Sequence, residues 1–592
     1  MSKRTLHRDL QLPDRRRGPS ARKRLTLVVV LLGLATLGLV VQAVRLQVVD
    51  KGFYQAQGNA RFLRQVKIPV SRGTIFDRNG EPLAVSTPVE SLWANPKDVL
   101  DHDDRIPALA HALGVDPAEL KQRLIERADR EFVYLKRQMS PDAAKAVLDL
   151  DIPGVNEQRE YKRYYPMGAV TAHVLGFTNI DDEGQEGLEL AFNNWLSGKP
   201  GAKRVIRDNK GHTVENVDLV RAPQPGRDLH LSIDNRLQYL AYSQLSDALT
   251  KFEASSASMV VMDVRTGEVL AMVNLPSYNP NAIGNSTAAQ RRNRAVTDVF
   301  EPGSTAKPFT IMAALDSGKW TPTTKIDTSP GWYVLYGHTI KDDANFGMLD
   351  TTGVITKSSN IGASKIALTL NTEQMYDVFR SFGFGNSTES GFPGEVSGYL
   401  PIGADWRPIR QATIGYGYGF NVTALQLAQA YSAIADGGVL HHPTFVKGGG
   451  KPGKRVISPK IDHEIIQMLK TVVTKDGTAP SAQVANYSVA GKTGTARIAA
   501  AGGYSKGKYF SVFAGMIPAS DPRLVGVIMV RDAKKKSYFG GKVSAPVFSK
   551  VMAGAVRLLD IPPDDVKTWY TGVGAPDASK PLAGSNGEGV AP

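Results

Sequence analysis

The longest apolar stretch of the chain lies close to its N-terminus. Residues 25–44 form a run of 20 positions, of which only three are polar. At a rise of about 1.5 Å per residue, a helix of this length crosses a hydrocarbon core of about 30 Å. A cleaved signal peptide is the alternative, but its apolar region is about 7–15 residues long and small residues follow it. The pattern therefore favours an uncleaved transmembrane helix.

Beyond residue 226, strand patterns and helix patterns follow one another. Two apolar runs at 259–263 and 269–273 flank a polar turn and predict a β-hairpin. Helical spacing predicts a helix capped by Asp234 and another over 423–436. Three more strand-like runs lie near the C-terminal end, at 487–497, 510–517 and 524–531. Strands at both ends with helices between them predict an α+β domain: a mostly antiparallel sheet with an inserted all-helical lobe.

Residues 45–220 form a first region after the apolar run. A strand-like stretch at 71–80 ends in Asn79-Gly80, a pair that suits a hairpin turn. Asp116 before Pro117 has the pattern of a helix start. Since no nucleophile is paired with a base here, two readings stay open. The region is either a spacer with a docking surface or simply a structural domain.

Pro-rich and Gly-rich residues at 221–226 predict a boundary, followed by a second region over 227–565. Residues 566–592 form a tail. From residue 572 onward it consists largely of Gly, Pro, Ala and Ser with few apolar residues, so it is predicted to be disordered.

Charge is concentrated at the N-terminus. The net charge is +14, and residues 1–24 hold nine Lys or Arg against two Asp, a net +7. No basic stripe with interleaved aromatic residues follows, so nucleic-acid binding is not expected. By the positive-inside rule, this leader stays in the cytoplasm and everything after residue 45 is exported.

Metal chemistry and disulfide chemistry find little support. The chain has no cysteine, and its ten histidines show no paired ligand spacing. We expect no metal and no cofactor.

The first of three candidate motifs is Ser304-Thr305-Ala306-Lys307, at a change from loop to apolar helix. Lys307 lies one turn after Ser304 on the same helical face, so its amine can reach the hydroxyl. Burial would favour the neutral amine, which can act as a base. The helix N-terminus adds positive potential where an oxyanion would form. The motif alone is weak, because two other segments of the chain also fit it.

The second motif is Ser358-Ser359-Asn360. Ser358 could pass a proton between a leaving group and Lys307. The Asn360 amide offers a donor and an acceptor to a peptide substrate. Alone, this motif is most often structural.

The third motif, Lys492-Thr493-Gly494-Thr495, lies on a predicted strand. Gly494 would let a substrate peptide lie against the strand edge. The Lys492 ammonium and the Thr493 and Thr495 hydroxyls would then face a carboxylate. An ordinary glycine in a hairpin is the alternative. Together the three motifs supply a nucleophile, a base, a proton relay and a cationic clamp, which serine acyl transfer requires.

These motifs resemble the S-x-x-K, S-D-N and K-T-G set of class A β-lactamases and penicillin-binding proteins, with Ser359 where that set has Asp. With segments 72–80, 166–189 and 416–428, the chain from the anchor to about residue 565 resembles the class B penicillin-binding proteins, D,D-transpeptidases that cross-link peptidoglycan. The leader and residues 84–89 are similar to the cell-division-specific branch rather than the elongation-specific one.

The resemblance implies a transpeptidase domain behind an elongated pedestal domain and one transmembrane helix. Ser304 would attack the penultimate carbonyl of a D-Ala-D-Ala stem peptide, with backbone N–H groups of Ser304 and Thr495 as oxyanion hole. It implies catalytic roles for Ser304, Lys307, Ser358, Asn360 and Lys492, and substrate binding by Thr493, Gly494 and Thr495.

It also implies inhibition by β-lactams and a place in the bacterial inner membrane, with the catalytic domain in the periplasm. The partners would be a membrane glycosyltransferase and divisome proteins, in septal cell-wall synthesis. Two other functions remain open: a D,D-carboxypeptidase or β-lactamase-type hydrolase, and a non-catalytic β-lactam-binding membrane scaffold. No second carboxylate base is evident, and the anchor and pedestal favour the transferase.

Overall fold

A computed structural model describes residues 21–53, 63–207, 213–500 and 503–565. Most of the predicted leader and the whole predicted tail lie outside these residues. The first element is a helix, Ala21–Val44, continued by a π-helical turn, Arg45–Val49. It is long and apolar enough to cross a membrane, and no part of it is buried against the protein. The predicted apolar helix is confirmed, and among the described residues it is the one helix whose length and composition suit a membrane anchor.

The pedestal region contains two sheets. The first has the order Leu63–Ile68, Gly201–Arg207, Thr213–Arg221. The second has the order Val133–Met139, Pro82–Ala94, Ile75–Phe76, Leu229–His230, and Val155–Tyr164 also pairs with Pro82–Ala94. Its helices are Pro96–Leu100, Ile106–Leu113, Pro117–Ile125, Pro141–Leu148, Ala172–Leu175, Gly187–Ala191 and Asn193–Leu196. Short 3₁₀ turns lie at Asp103–Arg105 and Gly168–Val170.

Two local predictions for this region are confirmed. Ile75–Phe76 pairs antiparallel with Pro82–Ala94, so the chain turns back at Asn79-Gly80, where Gly80 has φ +92°. Asp116 caps the helix Pro117–Ile125, because its carboxylate accepts from the N–H groups of the second and third helical residues.

A buried ion cluster holds the pedestal strands to its short helices. The Glu189 carboxylate accepts from Arg72 Nε and Arg163 Nε, at 2.6 Å each, and all three side chains are buried. Arg72 also donates to Asn193 Oδ1 at 2.8 Å and Ser197 Oγ at 2.8 Å. Buried charges need an opposite charge close by, because desolvation is otherwise costly.

The pedestal is joined directly to the start of the second region. Ile75–Phe76 pairs in parallel with Leu229–His230, and the Arg78 N–H donates to the Ile233 carbonyl at 2.9 Å. Asp77 Oδ2 accepts from the Asn235 N–H at 3.2 Å, at the first turn of a long helix, Asn235–Phe252. These bonds connect the two regions through backbone as well as side chains.

The second region is built on a five-stranded antiparallel sheet, the central sheet. Its order is Val269–Leu275, Ser256–Asp263, Leu524–Arg531, Gly503–Ile517, Ala490–Ala500. The helices Asn235–Phe252 and Ala545–Leu558 pack against the sheet and each other, and Ala424–Ala435 packs against it with every residue buried. The predicted hairpin, the three later strands and the helices capped by Asp234 and Thr423 are all confirmed.

The inserted lobe lies between Leu275 and Ala490. Its helices are Ala288–Arg291, Arg294–Thr297, Lys307–Asp316, Thr351–Lys357, Asn360–Ala367, Thr372–Ser381, Pro408–Gly415, Ala424–Ala435 and Pro459–Thr471. Its 3₁₀ turns are Pro280–Asn285, Gly303–Ala306, Gly403–Asp405 and Pro480–Ala482, and a short helix, Gly540–Val543, follows the central sheet.

An all-helical lobe was the wrong expectation in one respect. The lobe also holds three two-stranded sheets, Lys325–Asp327 with Met348–Asp350, Trp332–Leu335 with His338–Lys341, and Val439–Leu440 with Lys454–Arg455. Strands of two to four residues are too short for alternation of apolar and polar positions to reveal them.

Candidate active site

Ser304 lies on a tight turn that opens a buried helix. Gly303–Ala306 is a 3₁₀ turn, and the helix Lys307–Asp316 follows directly, with Pro308 in its first turn, where a missing N–H costs nothing. Gly303 has φ +53°, and its N–H donates to the Gly417 carbonyl at 2.9 Å. The predicted change from loop to helix at this motif is confirmed. The helix holds one end of the turn and Gly417 holds the other, and the Ser304 hydroxyl between them is half-buried.

The Lys307 amine is the centre of the site. It is fully buried and lies 2.9 Å from Ser304 Oγ, 3.2 Å from Ser358 Oγ and 2.8 Å from Asn360 Oδ1. It also donates to the Ser358 carbonyl oxygen. Four predicted residues, distant in sequence, are therefore in direct contact through one nitrogen.

Burial changes the proton affinity of this amine. Desolvation lowers the pKa of Lys307 to about 7, against the opposing effect of the nearby Asp342 and Asp343 carboxylates. A substantial fraction of the amine is then neutral near pH 7 and can accept a proton from Ser304. The environment gives Lys307 the properties that a general base needs.

The second motif lies at a break between two helices. Ser358 ends the helix Thr351–Lys357 in the left-handed conformation, with φ +62°. Ser359 caps the next helix, Asn360–Ala367, and its Oγ accepts from the Gly362 N–H at 2.8 Å. Ser359 therefore acts as a helix cap, a role in which Asp is equally common.

Asn360 forms contacts within the protein through both ends of its amide. Its Oδ1 accepts from Lys307, and its Nδ2 donates to the Lys341 carbonyl at 3.0 Å. Both ends of the amide are thus bonded to protein. These contacts orient Lys307, and the contact of this amide with a peptide substrate stays a prediction, because Nδ2 carries a second N–H.

The third motif lies on the strand Ala490–Ala500, an edge strand of the central sheet. Lys492 is fully buried, and both this burial and the proximity of Lys307 lower its pKa well below the usual range. This opposes the predicted ammonium in the ligand-free site. The Thr493 hydroxyl lies 2.7 Å from the Thr478 hydroxyl, and Thr495 Oγ1 accepts from the Gly540 N–H at 3.2 Å.

The interpretation of Gly494 as room for substrate was wrong. A Cβ at Gly494 would lie 2.9 Å from the Pro302 carbonyl oxygen and 3.0 Å from Thr305 Cγ2. The absent side chain therefore lets the Ser304 turn pack closely against the edge strand. The glycine positions the nucleophile candidate rather than the ligand.

The backbone of Thr495 is directed toward the same turn. Its carbonyl oxygen accepts from the Tyr418 hydroxyl at 3.4 Å and lies near Gly303. In an antiparallel sheet the N–H and C=O of one residue point to the same side. The Thr495 N–H therefore points off the sheet edge, toward Ser304.

Two segments of the chain match known protein families. Residues 257–553 match the penicillin binding protein transpeptidase domain, and residues 67–231 match the penicillin-binding protein dimerisation domain. The chain belongs to the penicillin-binding protein transpeptidases. The predicted fold and enzyme class are thereby confirmed, with a dimerisation domain as the pedestal.

The transpeptidase is similar to curated proteins along most of its length. It is 45% identical over 545 residues to the probable peptidoglycan D,D-transpeptidase PbpC of Pseudomonas aeruginosa, covering 92% of this chain and 96% of that protein. It is 42% identical over 529 residues to the peptidoglycan D,D-transpeptidase FtsI of Escherichia coli, covering 88% and 90%. The resemblance to class B penicillin-binding proteins is confirmed.

Solved structures agree. The transpeptidase domain of penicillin-binding protein 3 from Burkholderia pseudomallei is 44% identical, with a TM-score of 0.52 over 56% of this chain and 97% of that chain. A peptidoglycan synthetase from Bifidobacterium adolescentis has a TM-score of 0.67 at 25% identity, over 85% and 98%.

Sequence reasoning missed one residue that shapes the transpeptidase site. Asp342 Oδ1 accepts from the N–H groups of Asn360 at 2.5 Å and Ile361 at 3.0 Å, and Oδ2 accepts from Ser359 Oγ at 2.5 Å. It belongs to no motif and follows a short strand, so no sequence signal indicated it. Within the described ranges, no cluster of three His, Cys, Asp or Glu side chains could hold a metal.

Proposed function

We propose that this transpeptidase cross-links peptidoglycan stem peptides through an acyl-enzyme on Ser304. The contact that carries the proposal is the 2.9 Å distance between Ser304 Oγ and the buried Lys307 Nζ, whose pKa is lowered to about 7. Ser304 Oγ bonds to the penultimate carbonyl carbon of the donor peptide, and its proton passes to Lys307. Ser358, with its Oγ 3.2 Å from that amine, relays the proton to the leaving nitrogen, and the terminal D-alanine departs.

The second half-reaction restores the enzyme. The amine of a neighbouring stem peptide attacks the ester carbon and the bond to Ser304 Oγ breaks. The proton lost by that amine returns to Ser304 through Lys307. No external oxidant, metal or cofactor enters this sequence of steps.

Two groups would stabilise charge during acylation. The backbone N–H groups of Ser304 and Thr495 would form the oxyanion hole, supported by the outward direction of the Thr495 peptide edge. The terminal carboxylate of the donor would approach Lys492. An opposite charge favours the protonated amine, so substrate binding would restore the ammonium that burial disfavours.

The nucleophile assignment is tested by covalent labelling. Ser304→Ala should abolish labelling by a fluorescent penicillin while the melting temperature stays near that of the native protein. Ser505→Ala is the matched control, because Ser505-x-x-Lys508 has the same spacing outside the site. Labelling of Ser304→Ala at the native rate, or mass mapping of the adduct to another residue, would refute the assignment.

The acceptor separates the proposed transferase from its alternatives. With a donor peptide and an amine acceptor, a transferase forms a cross-linked dimer. A carboxypeptidase or β-lactamase-type hydrolase releases only hydrolysed products, and a scaffold shows acylation without turnover. The absence of dimer under these conditions would reject transpeptidation.

We also propose that the anchor lies in the bacterial inner membrane with the N-terminus in the cytoplasm, and that the enzyme acts in septal wall synthesis. The basic leader before the apolar helix supports the proposed orientation. A membrane glycosyltransferase and divisome proteins are the proposed partners. Protease digestion in spheroplasts should degrade the catalytic domain, and pull-down through anchor and pedestal should recover these partners. Protection of the catalytic domain would contradict the orientation.

A further inference from the structure

One β-hairpin of the inserted lobe carries apolar side chains on both of its faces. The hairpin is formed by Trp332–Leu335 and His338–Lys341. Successive side chains of a strand point to opposite faces. On one face, Tyr333 and Leu335 pack against a small buried cluster that includes Ile340. This face holds the hairpin on the lobe.

The opposite face is also apolar, but no described part of the chain covers it. Trp332 is 54% exposed and Val334 is 55% exposed, and Tyr336 at the turn is 72% exposed. Over the described ranges, the Trp332 indole N–H and the Tyr336 hydroxyl have no hydrogen-bond partner. We call these three residues the hairpin row. Contiguous exposed apolar side chains of this kind mark an interaction surface.

Tyr336 occupies a backbone position that does not favour tyrosine. With Gly337 it forms the two-residue turn of the hairpin, and these residues have φ +46° and φ +81°. Asn and Gly adopt such positive φ angles at the lowest cost. Because the Tyr336 ring is mostly exposed, it returns little packing energy to the fold. A contact outside the chain therefore explains this ring better than the stability of the turn does.

The hairpin row begins beside the proposed reaction centre. Trp332 lies opposite Lys341 in the hairpin. The Lys341 carbonyl accepts from Asn360 Nδ2 at 3.0 Å, and the Oδ1 atom of the same amide lies 2.8 Å from Lys307 Nζ. From Trp332 the row extends about 14 Å to Tyr336, at about 3.4 Å per residue. One end of the row is thus close to the catalytic groups and the other end is at the hairpin turn.

The polymer backbone of peptidoglycan suits this surface in position and in chemistry. A stem peptide is joined to a polysaccharide, and an extended peptide of a few residues spans only about 10–20 Å. The polysaccharide therefore stays near the row while its peptide reacts at Ser304. Trp and Tyr rings can pack against the C–H faces of sugars, while their N–H and O–H groups bond to sugar hydroxyls. Exposed Thr339 and Lys341, opposite Val334 and Trp332, add polar groups along the row.

We infer that Trp332, Val334 and Tyr336 bind the polysaccharide backbone of peptidoglycan while one of its stem peptides occupies the Ser304 site. This inference rests on the proposed function and adds a contact with the polymer to the contacts with the peptide. The enzyme then prefers a stem peptide that is attached to polysaccharide over the same peptide in free form.

The first measurement is the affinity of the full-length enzyme, in detergent, for soluble glycan strands from which the stem peptides have been removed. Tyr336→Asn removes the ring and places a favoured residue at the turn, so its melting temperature should equal or exceed the native value. Its affinity should fall about fivefold, and that of Trp332→Ala/Tyr336→Asn at least tenfold, as expected for the loss of aromatic contacts. Tyr239→Ala, which removes an exposed ring from the helix Asn235–Phe252, should keep the native affinity.

The second measurement is the ratio of kcat/KM for a donor attached to a glycan strand to kcat/KM for the free stem peptide. This ratio should exceed one in the native enzyme, fall in both hairpin variants and keep its native value in Tyr239→Ala. A merely structural defect would lower both rates together and leave the ratio unchanged. If the double variant does not fold, Tyr336→Asn alone gives the same comparison.

Native affinity and a native ratio in Tyr336→Asn and in the double variant would overturn the inference. A changed oligomeric state in these variants, with unchanged affinity for glycan, would also overturn it, because the row would then belong to a contact between two copies of the chain. Penicillin labelling and dimer formation from free peptides require no polysaccharide. They test the proposed function separately, so its failure and the failure of this inference are distinguishable.

Discussion

Acidification should slow acylation of Ser304 because it protonates Lys307. With the pKa lowered from 10.5 to about 7 by burial, about 90% of the amine is neutral at pH 8 and about 10% at pH 6. If the neutral amine is the base, the acylation rate falls about tenfold over this interval and is flat above about pH 8. A lysine at its ordinary pKa would instead give a rate that rises tenfold per pH unit through pH 9.

The assay is the second-order rate constant for labelling by a fluorescent penicillin between pH 5.5 and 9. Asp343→Asn adds a second perturbation, since the charge of this exposed residue opposes the lowering of the Lys307 pKa. Its removal should move the midpoint of the pH curve downward, by at most about one unit for a solvent-screened charge. Asp129→Asn, an exposed change in the pedestal, should leave the midpoint in place.

Two results would refute this reasoning. One is a native rate that keeps rising through pH 9 with no plateau. The other is a midpoint that moves upward, or does not move, in Asp343→Asn.

The same shift has a consequence for stability, with a definite sign. The unfolded chain keeps the Lys307 proton up to about pH 10.5, whereas the folded protein releases it near pH 7. Between these values the unfolded state binds more protons, so the contribution of Lys307 to the free energy of unfolding increases with pH. The full change is roughly 5 kcal/mol over that range, an order-of-magnitude figure.

Three further changes have expected outcomes. Gly494→Ala should lower the free energy of unfolding by about 1–3 kcal/mol and slow penicillin labelling at least tenfold, because the new Cβ would lie 2.9 Å from the Pro302 carbonyl oxygen. Gly284→Ala, whose Cβ would meet no atom within 4 Å, should match the native protein. A native labelling rate in Gly494→Ala would contradict the packing role. Asp342→Ala should lower kcat more than it raises KM, because Asp342 holds the N–H groups of Asn360 and Ile361, and Asn360 in turn contacts Lys307. Steady-state kinetics check this, and an effect on KM alone would argue against it. Glu189→Gln should lower the free energy of unfolding by about 3–5 kcal/mol, because Arg72 and Arg163 stay buried without a counter-charge. A denaturant titration that shows a loss under 1 kcal/mol would disprove this.

Features encoded within a few residues of sequence were predictable. Asp234 and Thr423 cap their helices because a cap depends only on the two or three N–H groups that follow it. The proximity of Ser304 and Lys307 follows from a spacing of three residues on one helix. Such local signals need no knowledge of the tertiary structure.

Features that depend on distant segments were missed or misread. The space beside Gly494 is occupied by Pro302, which belongs to the inserted lobe and is far from Gly494 in sequence. The charge state of Lys492 depends on burial and on Lys307, neither of which is visible in a strand pattern. Asp342 acquires its role only when the hairpin before it meets the helix that Ser359 begins.

The paired strands Ile75–Phe76 and Leu229–His230, with Asp77 bonded to Asn235, join the pedestal directly to the first long helix of the catalytic domain. A tilt imposed on the pedestal, by a partner or by the wall itself, is therefore passed to the helix Asn235–Phe252 and to the strands that it supports. A mechanical load on the pedestal would therefore strain the catalytic domain.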